Sequence, residues 1–299
     1  MSLARTLLHA ALDTRWSTSL DPLLRRAAVA ATAARAKAMG SSARGASSRA
    51  ALDALYARGP LLLGHRGAKA RAPENTLGAF RAALDDGAHG VELDTTLSGD
   101  SVPIVLHDDT LDRTTNGRGK PTDHDADDLA ALDAGSWFPG WGKEPVPRLD
   151  EMFRAMPDGA VVNVEIKGPS PAFVSLERRV VDVIRAHWPR VQVIVSSFHP
   201  AQLLEVRRLA PELPIGLLFA DDALLPLRTA WTAPLLVPDA LHPPASAVTP
   251  SLVHACRRAG IRLNVWAVRD EHEAARLLAF GVDGLIVDDV ASCAPLFER

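Results

Sequence analysis

Aromatic side chains are scarce in this chain of 299 residues, at 5%, and cysteine is scarcer still, with Cys256 and Cys293 the only two. Neither cysteine sits in a metal-ligand spacing, so a disulfide framework is not indicated, and a bridge would need the fold to bring the pair together. No apolar run approaches the roughly 20 residues that cross a bilayer, so stable membrane insertion is not expected. Excess charge of one sign is also missing. The formal net charge is −3 and the pI near 6.4, which gives no reason to expect nucleic acid or a membrane surface as partner. What the chain does hold is apolar content, 47% hydrophobic against 23% charged, enough for a sizeable core. Six of its few aromatics are tryptophan, which makes those positions worth following.

Export has one candidate signal, the twin-arginine-like Arg25-Arg26 followed by AAVAATAARAKA. Its apolar run is alanine-dominated, broken by Arg35 and Lys37, and begins well inside the chain, so cytoplasmic is the default expectation. Residues 1–58 are rich in Ala, Arg and Ser, with SSARGASSRA reading as a flexible break before the helical ALDALYARG. These residues are expected to form a helical N-terminal arm packing on a body of residues 59–299. No motif assigns the arm a role, and the oligomeric state is not legible.

From Pro60 onward short apolar runs alternate with helical segments. The expected strands are LLLGH (61–65), GVELD (90–94), VPIVLH (102–107), VVNVEI (161–166), VQVIVSS (191–197), PIGLLF (214–219), PLLVPD (234–239), RLNVWAV (262–268) and GLIVDD (284–289). Helices are expected in PENTLGAFRAALDDG, SPAFVSLERRVVDVIRAHW, HPAQLLEVRRLA, TPSLVHACRRAG and RDEHEAARLLAFG. Continuously apolar strands separated by helices imply a parallel sheet buried on both faces, and the repetition fits a (β/α)8 barrel of the TIM type. One candidate strand is surplus to eight staves, with PIGLLF or PLLVPD the expected extra. The link from Asp94 to Val102 is too short for a crossover helix. A local hairpin there is expected to point Glu92 and His107 to opposite ends, and an extended crossover to point both to one end.

A barrel active site is built from the C-terminal ends of the strands. Those ends are charged here: His65-Arg66 after the first run, Glu92 and Asp94 on the second, His107-Asp108 on the third, Glu165 and Lys167 on the fourth. Spacing of i, i+2 places each pair on one face. A single such pair is ordinarily the solvated face of an edge strand, and a single histidine ordinarily a hydrogen-bonded corner. Four strands carrying charge at one end are harder to explain structurally, because buried charge must be paired or hold a metal. Glu92, Asp94 and Glu165 offer an all-oxygen set suited to one divalent cation, Mg2+ or Ca2+. Arg66 and Lys167 suit an anionic ligand such as phosphate. His65 and His107 can supply a general acid and a general base. Together these groups describe phosphodiester cleavage.

The order HRG, PENT, VELD, VLHDDTLDRTTNG, VPRLDE, VEIKG, SSF, NVWAV and GVDGLIVDD resembles the glycerophosphodiester phosphodiesterase family over roughly residues 60 to 292. The resemblance implies that His65 and His107 are the catalytic acid/base pair and that Glu92, Asp94 and Glu165 hold the metal. It implies that Arg66 and Lys167 contact the substrate phosphate, that Glu74 and Asn75 support the metal shell or the loop, and that Trp266 contacts the glycerol moiety, with core packing the alternative for that ring. It also implies the extended crossover, since the family brings both histidines into one site. The implied reaction is hydrolysis of a small-molecule glycerophosphodiester to sn-glycerol 3-phosphate and an alcohol, by attack of the glycerol 2-hydroxyl through a cyclic phosphate or by direct attack of water. Trp137, Phe138 and Trp141 in GSWFPGW suggest an apolar rim, and with it a lysophospholipase D alternative; a solvent-shielding lid is the other reading of that segment. A non-catalytic phosphate-binding barrel would have lost a histidine or a metal ligand, and none is lost. The run WAVRD departs from the family pattern, and Arg269 is expected either to select an anionic head group or to pair with Asp270.

Overall fold

The computed structural model describes residues 14–39, 46–168, 176–221 and 228–298. Its strands are β1 (Leu61–His65), β2 (Gly90–Leu97), β3 (Pro103–Val105), β4 (Val161–Ile166), β5 (Gln192–Ser197), β6 (Ile215–Leu218), β7 (Ala240–His242), β8 (Arg262–Val268) and β9 (Gly284–Val287). Among the described residues the helices are α1 (Thr14–Met39), α2 (Ala46–Leu55), α3 (Leu77–Asp85), α4 (Ala126–Ala131), α5 (Leu149–Ala155), α6 (Leu176–His187), α7 (Pro200–Leu209), α8 (Ala233–Leu236), α9 (Pro250–Ala259), α10 (Glu271–Phe280) and α11 (Val290–Cys293). Residues 41–45 of the expected flexible break SSARGASSRA and 170–175 of the expected helix SPAFVSLERRVVDVIRAHW lie outside the described residues.

Parallel pairing runs β1-β2-β4-β5-β6-β7-β8-β9 and closes back on β1, giving an eight-stave (β/α)8 barrel. Helix boundaries follow local chemistry. Thr76 caps α3 by accepting from the Ala79 N–H, Thr249 caps α9 and Asp270 caps α10, and Gly260 and Gly281 end the last two in the left-handed region.

Two strand expectations need correction. Of the two runs expected as surplus, PIGLLF is stave β6, whereas PLLVPD is indeed no stave; a further run also stands outside the eight staves. It is β3, which folds back antiparallel on β2 with Thr95 opposite Val105. PLLVPD begins in the helical turn α8, and the stave is the following Ala240–His242. A short apolar run has no periodicity to separate strand from helix. Pro234 opens the turn, and Leu236 is buried where α8 packs on α1.

The crossover expectation fails as well. Asp94 and Val102 are joined through a hairpin whose turn is closed by the Ser98 N–H donating to Val102 O, with Ser101 at φ +67°. This hairpin does not separate Glu92 from His107, because β2 runs past the barrel rim before it turns. The return strand leads back down, the Leu106 N–H donates to Asp94 O, and His107 arrives at the mouth.

Alternate side chains of each stave point inward. In the lower barrel they are apolar: Leu61, Leu63, Val161, Ile194, Ala240 and Ile286 form one cluster, joined from outside by Leu52, Leu55 and Tyr56. The segment ending in Tyr56 therefore closes the bottom of the barrel, and the Tyr56 hydroxyl exchanges hydrogen bonds with Asn264. Helix α1 packs along α8 and α9. Arg25 pairs with Asp221 at 2.6 Å and lies over the Phe219 ring, while Asp21 pairs with Arg228 at 2.8 Å. Cys256 and Cys293 are buried free thiols.

Candidate active site

The register of the staves gathers the charges at the barrel mouth. His65 lies opposite Glu92, Asp94 opposite Glu165, and Glu165 opposite Ser196. Glu92, Asp94 and Glu165 are all buried and offer carboxylate oxygens within 4.8 Å of one another. Arg66 and Lys167 stand against this trio. Lys167 Nζ is 2.7 Å from Glu165 and 3.2 Å from Asp94, and Arg66 Nε is 3.2 Å from Asp94. The Arg66 backbone N–H donates to Glu92 at 3.0 Å.

The sharp corner after β1 makes this possible. Arg66 has φ +56°, and a Cβ at Gly67 would lie 2.6 Å from the Ala79 carbonyl, so only glycine lets the corner close on α3. Glu74 does not join the acidic trio. It accepts from Arg66 at 2.8 Å and from two Arg113 nitrogens at 2.8 and 2.9 Å, and so braces the phosphate-binding candidate. Asn75, at φ +59°, donates from Nδ2 to Asp94 at 2.9 Å and orients that carboxylate.

Electrostatics divides the trio. Burial first, then Asp94 and Glu165, push Glu92 well above the usual carboxylate range. Burial and then Asp94 raise Glu165 to about 7. Burial would also raise Asp94, but Lys167 and Arg66 outweigh it and hold that group at about 2. Three carboxylates thus exceed what two neighbouring cations neutralise. An all-oxygen donor set with surplus negative charge fits a hard divalent cation.

Each candidate histidine is held at Nδ1 by a carboxylate. His65 Nδ1 is 2.5 Å from Asp288, and His107 Nδ1 is 2.6 Å from Asp108. Donation from Nδ1 leaves Nε2 as the basic nitrogen for the site. Burial lowers the His107 pKa, with Lys167 and Arg66 lowering it further and Asp94 opposing them. Arg113, then His107, hold Asp108 well below its ordinary value. A pocket of about 260 Å3 opens beside His107 and Lys167, lined also by Thr96, Lys120 and Thr122.

Trp266 is half-buried at the end of β8, donates from Nε1 to His242 O at 3.0 Å, and meets Phe198 edge-to-face at 5.9 Å. It therefore packs on the barrel interior and also presents an edge near the mouth. Arg269 forks onto Glu273 at 3.0 and 3.2 Å rather than pairing with Asp270. Trp137, Phe138 and Trp141 stack edge-to-face on one another, and Trp141 lies against Gly78 at the start of α3.

Sequence reasoning missed Asp288 and Arg113 as parts of the site, and named Asp108 as a charged strand end without its role as partner of His107. Asp288 follows the end of β9 and obeys the same strand-end rule that selected the other residues, so a signal for it existed. Arg113 lies in a loop, where spacing says nothing about its two carboxylate partners.

Comparison with known proteins agrees with this geometry. Residues 65–292 match the sequence profile of the glycerophosphoryl diester phosphodiesterase family. A glycerophosphodiester phosphodiesterase of Caldanaerobacter subterraneus is 36% identical over 80% of this chain and 98% of its own length. One from Bacillus subtilis is 32% identical over 76% of this chain and 83% of its own. Among solved structures, an Oleispira antarctica phosphodiesterase in complex with the product sn-glycerol-3-phosphate superposes with TM-score 0.70 and 30% identity, covering 82% of this chain and 99% of that one. The chain belongs to the glycerophosphoryl diester phosphodiesterase family of enzymes.

Proposed function

We propose that this chain hydrolyses glycerophosphodiesters to sn-glycerol 3-phosphate and an alcohol, with His65 and His107 dividing the proton transfers. One observation carries the reading: two imidazoles, each held at Nδ1 by a carboxylate, flank a buried acidic trio interleaved with Arg66 and Lys167. Glu92, Asp94 and Glu165 would hold one Mg2+ or Ca2+, which when bound offsets the negative charge of the substrate phosphate.

Arg66 and Lys167 turn toward the phosphate oxygens as the diester enters, exchanging part of their carboxylate pairing for it. One imidazole Nε2 takes the proton of the attacking hydroxyl, and the other protonates the leaving alcohol oxygen. With the glycerol 2-hydroxyl as nucleophile, the product of this step is a cyclic phosphate, which water opens with the two histidines exchanging roles. With water as nucleophile, the same pair acts once. Detection of the cyclic phosphate by phosphorus NMR separates the routes. Glycerophosphodiesters are proposed ahead of lysophospholipids because the similar enzymes are named for that activity.

The test is release of glycerol 3-phosphate from glycerophosphocholine, with and without EDTA and with Mg2+ or Ca2+ restored, beside a lysophosphatidylcholine arm. Activity indifferent to chelation, or unchanged in His65→Ala and His107→Ala, would sink the mechanism.

A further inference from the structure

The apolar side chains left on the surface are not scattered. Leu20, Leu23, Leu204, Trp231 and Leu235 are between 49% and 63% exposed. Among the described residues only Trp137 joins them as an exposed large hydrophobic. All five lie on α1, α7, α8 and the turn leading into α8, and these elements are neighbours, since α8 packs on both α1 and α7. Leu204 sits one turn before Arg207, whose guanidinium reaches Asp239 and so faces the α8 side. The outward side of α1 continues the band through Ala27, Ala30, Ala31 and Ala34, flanked by Arg26, Arg35 and Lys37. Its acid, Asp21, is buried against Arg228.

The net charge of −3 conceals this distribution. Helix α1 exposes Arg26, Arg35 and Lys37, while its Arg25 and its single acid, Asp21, are buried in ion pairs. Beside it, a groove of about 630 Å3 between α1 and α9 is floored by alanine and bordered by Arg26, His254 and Arg258, with no acidic side chain in its lining. A helix with an apolar centre, cationic flanks and a neighbouring exposed tryptophan has the pattern of an element that lies in a lipid interface. The charge is complementary to anionic head groups.

We propose that the wall formed by α1, α8 and α7 docks this protein on an anionic lipid surface, with Leu20, Leu23, Trp231 and Leu235 entering the interface and Arg26 and Arg258 meeting lipid phosphates. Docking is peripheral and crosses nothing. Asp21 and Arg25 tie the first half of α1 to Arg228 and Asp221, which follow the C-terminal end of β6, whereas α8 leads into the start of β7 and Arg258 stands at the end of α9 before β8, so the docking wall runs along the side of the barrel. This inference is independent of the catalytic reading, because it concerns only the outer wall.

Cosedimentation of the full chain with vesicles is the test, comparing pure phosphatidylcholine with an equal mixture of phosphatidylcholine and phosphatidylglycerol. Binding is expected to the mixed vesicles only and to weaken at high salt. Loss of each surface cation weakens such binding about fivefold, so Arg26→Ala/Arg258→Ala should bind about 30-fold more weakly. Trp231→Ser/Leu235→Ser should also lose binding. Both variants should retain the far-ultraviolet spectrum and the turnover of soluble glycerophosphocholine, which separates lost docking from lost folding. Equal binding to neutral and mixed vesicles, or none to either, overturns the proposal. So does a dimer in light scattering that dissociates in Trp231→Ser/Leu235→Ser, which would make the wall an interface between copies of this chain.

Discussion

Acidification should draw stability from this protein at His242. The residue ends β7, is fully buried, and lies over Gly216, where a Cβ would stand 2.4 Å from Nε2. Asn264 Nδ2 donates to Nε2 at 3.0 Å, so the ring proton sits on Nδ1, which has no partner among the described residues. Burial lowers its pKa to about 3. In the unfolded chain a histidine titrates near 6.5. Between these values the unfolded state binds a proton that the folded state does not. The stabilisation is therefore complete above about pH 6.5 and is lost progressively as pH falls toward 3. At pH 5 the loss is about 2 kcal/mol, from roughly 1.5 pH units at about 1.4 kcal/mol each. That is a large share of the ~5–15 kcal/mol by which domains are stable. Urea unfolding at pH 7 and pH 5 isolates this loss as a difference: relative to His242→Gln the parent's midpoint should shift downward by about half a molar, because the raised carboxylates Glu92 and Glu165, which favour the folded state on acidification, are common to both. His242→Gln keeps an acceptor for Asn264 but does not titrate, so its midpoint should fall by distinctly less. Trp266 hangs from the His242 carbonyl, so activity should fall with stability in the same window. Parallel pH dependence in the parent and His242→Gln would refute the reasoning, since every other titratable group is common to both.

Three further outcomes are expected. Asp288→Asn removes the charged partner of His65 Nδ1, and steady-state kinetics should show kcat lower by about 100-fold with little change in KM. Arg113→Met strips two donors from the buried carboxylate of Glu74 and frees Asp108, which should cost about 1.5–3 kcal/mol in thermal or urea unfolding and lower kcat through a looser His107. Tyr56→Phe leaves Asn264 without its hydroxyl partner and should cost about 1–3 kcal/mol, while Tyr56→Ala opens the barrel floor and should cost about 3–5 kcal/mol; chemical denaturation of both variants measures the difference.

Much of the barrel was written in local pattern. Helix α3 announces itself by a Thr76 cap and a glycine stop, and β4 by a valine-rich run broken only by Asn163 before Glu165, with Lys167 just beyond the strand. The two misread runs were short, and short runs carry no period. The turn SGDS between β2 and β3 was nevertheless a hairpin signal, discounted because a hairpin seemed to separate Glu92 from His107. Only the extension of β2 beyond the rim, which depends on where its neighbours β1 and β4 stop, dissolves that conflict.

By itself the sequence determined which residue types would stand at the strand ends, because the alternation of side chains along a strand is a property of the backbone. It thereby singled out His65, Arg66, Glu92, Asp94, His107, Glu165 and Lys167. What only the tertiary structure decided is who touches whom across the barrel. Closure and stagger bring Asp288 from β9 to His65 and Arg113 from a loop to both Glu74 and Asp108. They send Tyr56 from the arm to Asn264, and they divide one acidic trio into a carboxylate at about 2 and two raised ones. Such pairings depend on distances in space between residues far apart in the chain, and no local spacing encodes them.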